Sequence, residues 1–302
     1  MVIVWVPELE QLLRESRRLP ALLERILARA ARRRLEPESA LATLVCSLDL
    51  AAGPLSRMAD SPDDDNGIGG SVWLRADPVS LRPDLGAVWL EPGVGLEPAA
   101  REALITAFAN EGLALDFPDP RRGYIRLDST PDCCFQPPWL LSGQSLDHVL
   151  PSGAEAGHWR RLLNESQVIL HQHGHGEPGH AGSLWFWGAG RLPGRQEAKV
   201  RISHLDGASP ELIGLARWLS LSHSPLVPKR AVADSSLVEW HADQGSTADD
   251  NLERLSCWLD PLWHGLRRFS LDALELASRE RCWRLSPAGS WRLWQRRFEI
   301  AA

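Results

Sequence analysis

Residues 183–190 read Ser-Leu-Trp-Phe-Trp-Gly-Ala-Gly, a bulky apolar run that ends on a glycine turn. A short aromatic-rich run bounded by Gly188 and Gly190 reads as a buried strand. The segment before it has a different period. From Trp159 to His173, the residues Leu162, Leu163, Ser166, Ile169 and Leu170 recur on one side, which predicts an amphipathic helix. Further upstream, Pro98–Glu111 predicts another helix, with Leu104, Ile105 and Phe108 on its buried face. Ser71–Ala76, Gly86–Leu90 and Tyr124–Leu127 read as strands. The first two flank a turn containing Asp77-Pro78 and Arg82-Pro83-Asp84.

The same alternation continues to both ends. Val2–Val6 reads as a buried strand stopped by Pro7, and leucines from Leu9 to Leu27 keep helical spacing with a break at Pro20. Glu38–Leu48, Pro210–Leu219 and Asn251–Arg268 predict helices, and Leu237–Trp240 a strand. Trp283–Leu285 and Trp291–Trp294 are expected to close the sheet. Alternating strands and helices predict an α/β fold with a largely parallel, helix-covered sheet. Asp60–Gly70, rich in Asp, Pro, Asn and Gly, reads as a loop and a domain boundary.

At 302 residues the chain is long enough for one large or two ordinary domains. No apolar stretch approaches the ~20 residues that cross a bilayer, and Glu8, Glu10 and Arg14 soon interrupt the opening run. A cytoplasmic location without a membrane partner is the expectation. The five cysteines are an odd number without Cys-x-x-Cys spacing, which suggests neither a zinc ribbon nor a disulfide framework. The adjacent pair Cys133 and Cys134 reads as two thiols, buried or in a loop. Arg32, Arg33 and Arg34 read as the solvated end of a helix rather than a nucleic-acid patch, because the net charge is −6 and no aromatic-basic stripe accompanies them. The fourteen tryptophans read as core packing.

His171, His173, His175 and His180, with His158 upstream, have the imidazole density of a transition-metal site. Gly174–Gly182 contains four glycines and a proline, however, and reads as a surface loop. The Gly188–Gly190 turn can bring backbone N–H groups to a phosphate, with Arg191 and Arg195 beside it; a purely structural turn is the competing reading. No nucleophile elbow and no Walker-type loop is present.

Trp73-Leu-Arg-Ala-Asp-Pro78, the helix through Phe108 and Arg122-Gly-Tyr-Ile-Arg-Leu127 together resemble the substrate-binding domain of archaeal-type cofactor-independent phosphoglycerate mutases. With Leu162–Glu165 and Ser183–Gly188 the pattern is similar to bacterial phosphoglycerate mutase-like or RpfE-type regulatory proteins. The resemblance implies an alkaline-phosphatase-like core from residues 1–70 and 196–302, with a smaller α/β domain inserted at 71–195. It implies a small phosphorylated or anionic ligand, with Arg75, Asp77, Arg122, Gly188, Gly190 and Arg191 as candidate contacts. Leu237–Trp240 and the following residues stand where that family carries a strand and two metal ligands; Asp243 keeps the carboxylate and Thr247 replaces the histidine. The opening strand leads to Pro7-Glu8 where the family has Asp-Gly, and the nucleophilic serine segment and late Ala-Asp-His-Gly motif have no counterpart. The implied protein is a degenerate, non-catalytic relative with a binding or regulatory role and no cofactor. The alternative is an active phosphomutase or phosphatase on small phosphorylated acids. It would need divalent metal on Asp243 with His171, His173 or His175.

Overall fold

The computed structural model describes residues 1–61, 68, 70–84, 87–140, 149–173, 180–225, 235–292, 294, 295 and 298. The chain divides into two compact units, Met1–Asp49 with Arg195–Ala302, and Leu50–Gly194. The first unit opens with β1 (Val2–Trp5), buried throughout, followed by α1 (Leu9–Glu15), α2 (Ala21–Arg29), β2 (Ala31–Arg34) and α3 (Ala40–Cys46). Pro20 precedes α2, where its fixed φ suits a helix entry and its missing N–H is not needed.

The second unit holds α4 (Ala52–Asp60), β3 (Val72–Asp84), β4 (Ala87–Pro92), α5 (Pro98–Asn110), β5 (Ala114–Asp119), β6 (Arg122–Leu127), α6 (Ala156–Gln172) and β7 (Ser183–Gly190). The chain then returns to the first unit with β8 (His204–Asp206), α7 (Pro210–Leu219), β9 (Ser222–Ser224), β10 (Ser236–Glu239), α8 (Ala248–Arg267), β11 (Leu274–Ala277), β12 (Arg281–Leu285) and α9 (Pro287–Ser290).

The first unit is built on a seven-stranded sheet in the order β2-β12-β11-β1-β10-β8-β9. Its strands from β11 through β9 are parallel, while β12 and β2 pair antiparallel at one edge. Val2, Val4, Leu274, Leu276 and Trp283 face a helical layer carrying Leu23, Ile26, Leu255 and Leu259. Each such aliphatic side chain contributes about 1.5–3 kcal/mol by leaving water.

The second unit's sheet is antiparallel throughout, so the expected largely parallel sheet applies to the first unit alone. β3 is its spine: β6 and then β4 pair along one edge, and β7 along the other. The turn expected at Asp77-Pro78 is instead the middle of this strand. Pro78 falls between the last β6 pairing at Arg75 and the first β4 pairing at Val79, so its missing N–H interrupts no ladder on that edge. Leu74, Ala76, Ile125, Leu184 and Phe186 pack with Leu104, Phe108, Trp159 and Leu162 in one core.

Three further expectations are corrected. Arg32–Arg34 form an exposed edge strand rather than a helix end, because the helix stops at Arg29 and the chain pairs with β12. Trp291 and Trp294 lie in turns, exposed, and add no strand. Residues 50–60 fold with the second unit, although the expected boundary lay at 70. The cause is close packing. A Cβ on Gly53 would meet the carbonyl oxygens of Gly188 and Trp73 at 2.5 Å, so α4 lies directly on β3 and β7.

Candidate functional site

Open parallel sheets present ligand sites beyond the carboxyl ends of their strands. In the first unit, β1 leads through Val6 and Pro7 to Glu8, and β10 ends at Glu239 before Trp240 and His241. These side chains meet. His241 Nδ1 lies 3.2 Å from Glu8 Oε1, and its Nε2 lies 3.4 Å from Glu239 Oε1. Glu239 is 1% exposed, and its Oε2 accepts the N–H groups of Ala208 and Ser209 at 3.0 and 2.9 Å, where α7 begins. Gly207 permits this approach, since a Cβ there would sit 2.6 Å from that same Oε2.

The electrostatics follow from this arrangement. The hydrogen bonds to Glu239 and then to Glu8 raise His241 from 6.5 to about 10, against the opposing effect of its burial. For Glu239, burial pushes upward, but the bonds from His241 and Ser209 outweigh it and hold the carboxyl below its usual range. His241 is therefore an imidazolium at neutral pH, with both ring nitrogens donating.

A cavity of about 430 Å³ opens beside the cluster, lined by Glu8, Gln11, Glu15, His241, Asp243 and Asn251 among others. Asp243 is exposed. Its carboxylate accepts Ser246 Oγ at 2.7 Å and Gly245 N–H at 3.4 Å, and the Ser246 bond is the main reason its acidity is increased. Asn251, 2% exposed, accepts the Asp243 N–H at 2.8 Å and donates to the carbonyls of Asp243 and Thr247. Thr247 caps α8 by accepting the Asp250 N–H at 3.2 Å. Asp243 and Thr247 thus build the entry to a helix.

The second unit holds the remaining candidates. Arg75 and Asp77 are buried and form a two-pronged pair at 3.0 and 2.7 Å; Arg75 also donates to Ser56 Oγ at 2.8 Å. The Trp187 indole donates to Asp77 at 2.7 Å, and the Arg75 guanidinium stacks 4.8 Å from that ring. Arg122 forks onto Asp60 at 2.7 and 2.9 Å, and the Tyr124 hydroxyl donates to the same carboxylate. Both arginines thus face the sheet side covered by α4, each paired with a carboxylate of its own unit. The glycines have packing reasons. Gly188 has φ +67° against Ala52 and Gly53, and a Cβ on Gly190 would meet Ala51 at 2.5 Å. Arg191 is exposed beyond β7.

His171 and His173 lie exposed at the end of α6, and His175 lies outside the described residues. Among the described residues, no group of three His, Cys, Asp or Glu side chains could hold a metal ion. Asp243 belongs to the first unit, and His171 and His173 to the second. Sequence reasoning singled out Asp243 and Thr247 and passed over Glu8, Glu239 and His241. The available signal was a carboxylate closing an otherwise apolar strand, in Val238-Glu239 and again in Val6-Pro7-Glu8.

No family model matches the chain, and no curated protein matches it. Among solved structures, the cofactor-independent phosphoglycerate mutase from Thermoplasma acidophilum DSM 1728 is similar at 14% identity over 95% of this chain and 89% of that one, with a TM-score of 0.41. The PH0037 protein from Pyrococcus horikoshii is similar at 10% identity over 94% of this chain and 87% of that one, with a TM-score of 0.46. Both likenesses are distant.

Proposed function

We propose that this chain is a non-catalytic binding or regulatory protein whose ligand site is the cavity at the carboxyl edge of β1 and β10. The observation that supports the reading is the Glu8–His241–Glu239 cluster. Two carboxylates placed where a parallel sheet offers its site are bridged by a histidine of the chain itself, which satisfies them internally. Asp243 and Thr247 serve the start of α8 instead. The cavity lining carries Glu8, Glu15 and Asp243 against the single cation His241, together with Gln11 and Asn251. It therefore recognises hydroxyl or amine groups better than a bare phosphate.

The decisive experiment measures metal content by elemental mass spectrometry on protein purified without metal-affinity steps, with phosphoglycerate mutase turnover assayed on the same sample. The reading expects neither stoichiometric metal nor turnover. About two metals per chain together with turnover would overturn it in favour of a metal-dependent phosphomutase.

A further inference from the structure

Two arginines on the antiparallel edge of the seven-stranded sheet and a third from the segment before β8 converge on one buried carboxylate. Glu275, on β11, is 1% exposed. Arg284 Nη1 lies 2.6 Å from its Oε1, Arg201 Nη1 3.5 Å from the same oxygen, and Arg33 Nη2 3.9 Å from Oε2. Among the described residues, none of the three has another carboxylate within 4.0 Å. Arg201 is fixed from behind by donating Nε to the Leu44 carbonyl at 3.1 Å. Arg33 and Arg284 keep 41% and 52% of their side chains exposed.

One carboxylate neutralises one guanidinium, so the cluster keeps a surplus of about two positive charges within a few ångströms. Like charges at that separation repel, and ordering each arginine costs side-chain entropy. A purely structural pair needs Arg284 alone. The register brings two of them together: Arg284 faces Glu275 across β11–β12, and Arg33 faces Cys282 across β12–β2, which puts both on one face.

We propose that Arg33, Arg201 and Arg284 form an anion site for the phosphate group of a small phosphorylated molecule, preorganised by Glu275. Guanidinium forks match phosphate oxygens, and the buried carboxylate holds the donors in place before the ligand arrives. This site is separate from the cavity beside His241 and does not depend on that reading. Cys282 lies buried beside the cluster with its thiol 3.6 Å from Glu275 Oε2, and burial followed by that carboxylate pushes it up to about 12, so it stays a neutral thiol there.

The test is calorimetric titration of the full chain with inorganic pyrophosphate at low ionic strength. Saturable one-site binding is expected, weakened at least about tenfold in Arg33→Gln, which leaves the Arg284–Glu275 pair intact. Arg121→Gln, in an exposed turn of the other unit, should bind as the unmodified protein does. Absence of saturable binding, or equal weakening by Arg33→Gln and Arg121→Gln, would overturn the proposal. So would a short oligonucleotide that binds the same arginines more tightly than pyrophosphate.

Discussion

His241 is held between carboxylates from two different strand ends, and its titration carries a stability signature. Its folded pKa, about 10, lies above the ordinary 6.5. The native state therefore binds the extra proton between those values, so the contribution is complete below about pH 6.5 and fades as pH rises towards 10. The side chain is half-exposed, which screens the effect to about 1 kcal/mol. Denaturant midpoints should accordingly fall from pH 6.5 to pH 10 more in the unmodified protein than in His241→Gln; parallel falls would refute the assignment. Arg75 tests a different residue-level claim. Removing it leaves Asp77 buried with the Trp187 indole but without its guanidinium. Arg75→Gln should cost about 3–5 kcal/mol in equilibrium unfolding, and a loss under 1 kcal/mol would show that the pair is not structurally required.

Elements meet in this protein through small residues and caps. Ala51, just before α4, and Ala52 and Gly53 within it lie against Gly188 and Gly190 of β7, so two segments distant in sequence approach at backbone distance. Gly53→Ala places a methyl group 2.5 Å from two carbonyl oxygens, neither of which can rotate away. The expected outcome is a loss of about 3 kcal/mol with faster amide exchange confined to α4 and β7. An unchanged exchange pattern would mean that α4 is not locked as described. α8 supplies a milder case. Thr247→Ala removes the oxygen that accepts the Asp250 N–H and should cost about 1 kcal/mol in thermal or chemical melts.

At the scale of the whole molecule, the second unit is one continuous stretch with its own core, and its two ends meet where Ala51 lies against Gly190. Residues 50–194 expressed alone should therefore fold, giving a near-ultraviolet circular dichroism spectrum from packed tryptophans such as Trp159, Trp185 and Trp187. A flat spectrum with collapsed amide dispersion would show that this unit depends on the rest of the chain. The first unit is assembled from both ends of the chain, and no single fragment of it contains β1 together with its neighbours β10 and β11.

Sequence alone determined the local elements whose period is strong. The strand at Val2–Trp5, the helices around Pro98–Asn110 and Ala156–Gln172, and the aromatic strand Ser183–Gly190 all follow from which side chains must leave water. It also established that the chain alternates helix and strand. Pairing was not legible. Pro78 reads as a turn until β6 and β4 are seen to leave a gap for it, and Arg32–Arg34 read as a helix end until β12 lies alongside. The sites were hidden for the same reason. Arg75 and Arg122 look like free anion contacts until Asp77 and Asp60 are found beside them, and Glu8, Glu239 and His241 are unrelated letters until β1 and β10 become neighbours. The tendency of an apolar side chain to leave water belongs to its own chemistry, which the sequence states directly. Charge partners are set by long-range strand register, and only the tertiary structure decides that.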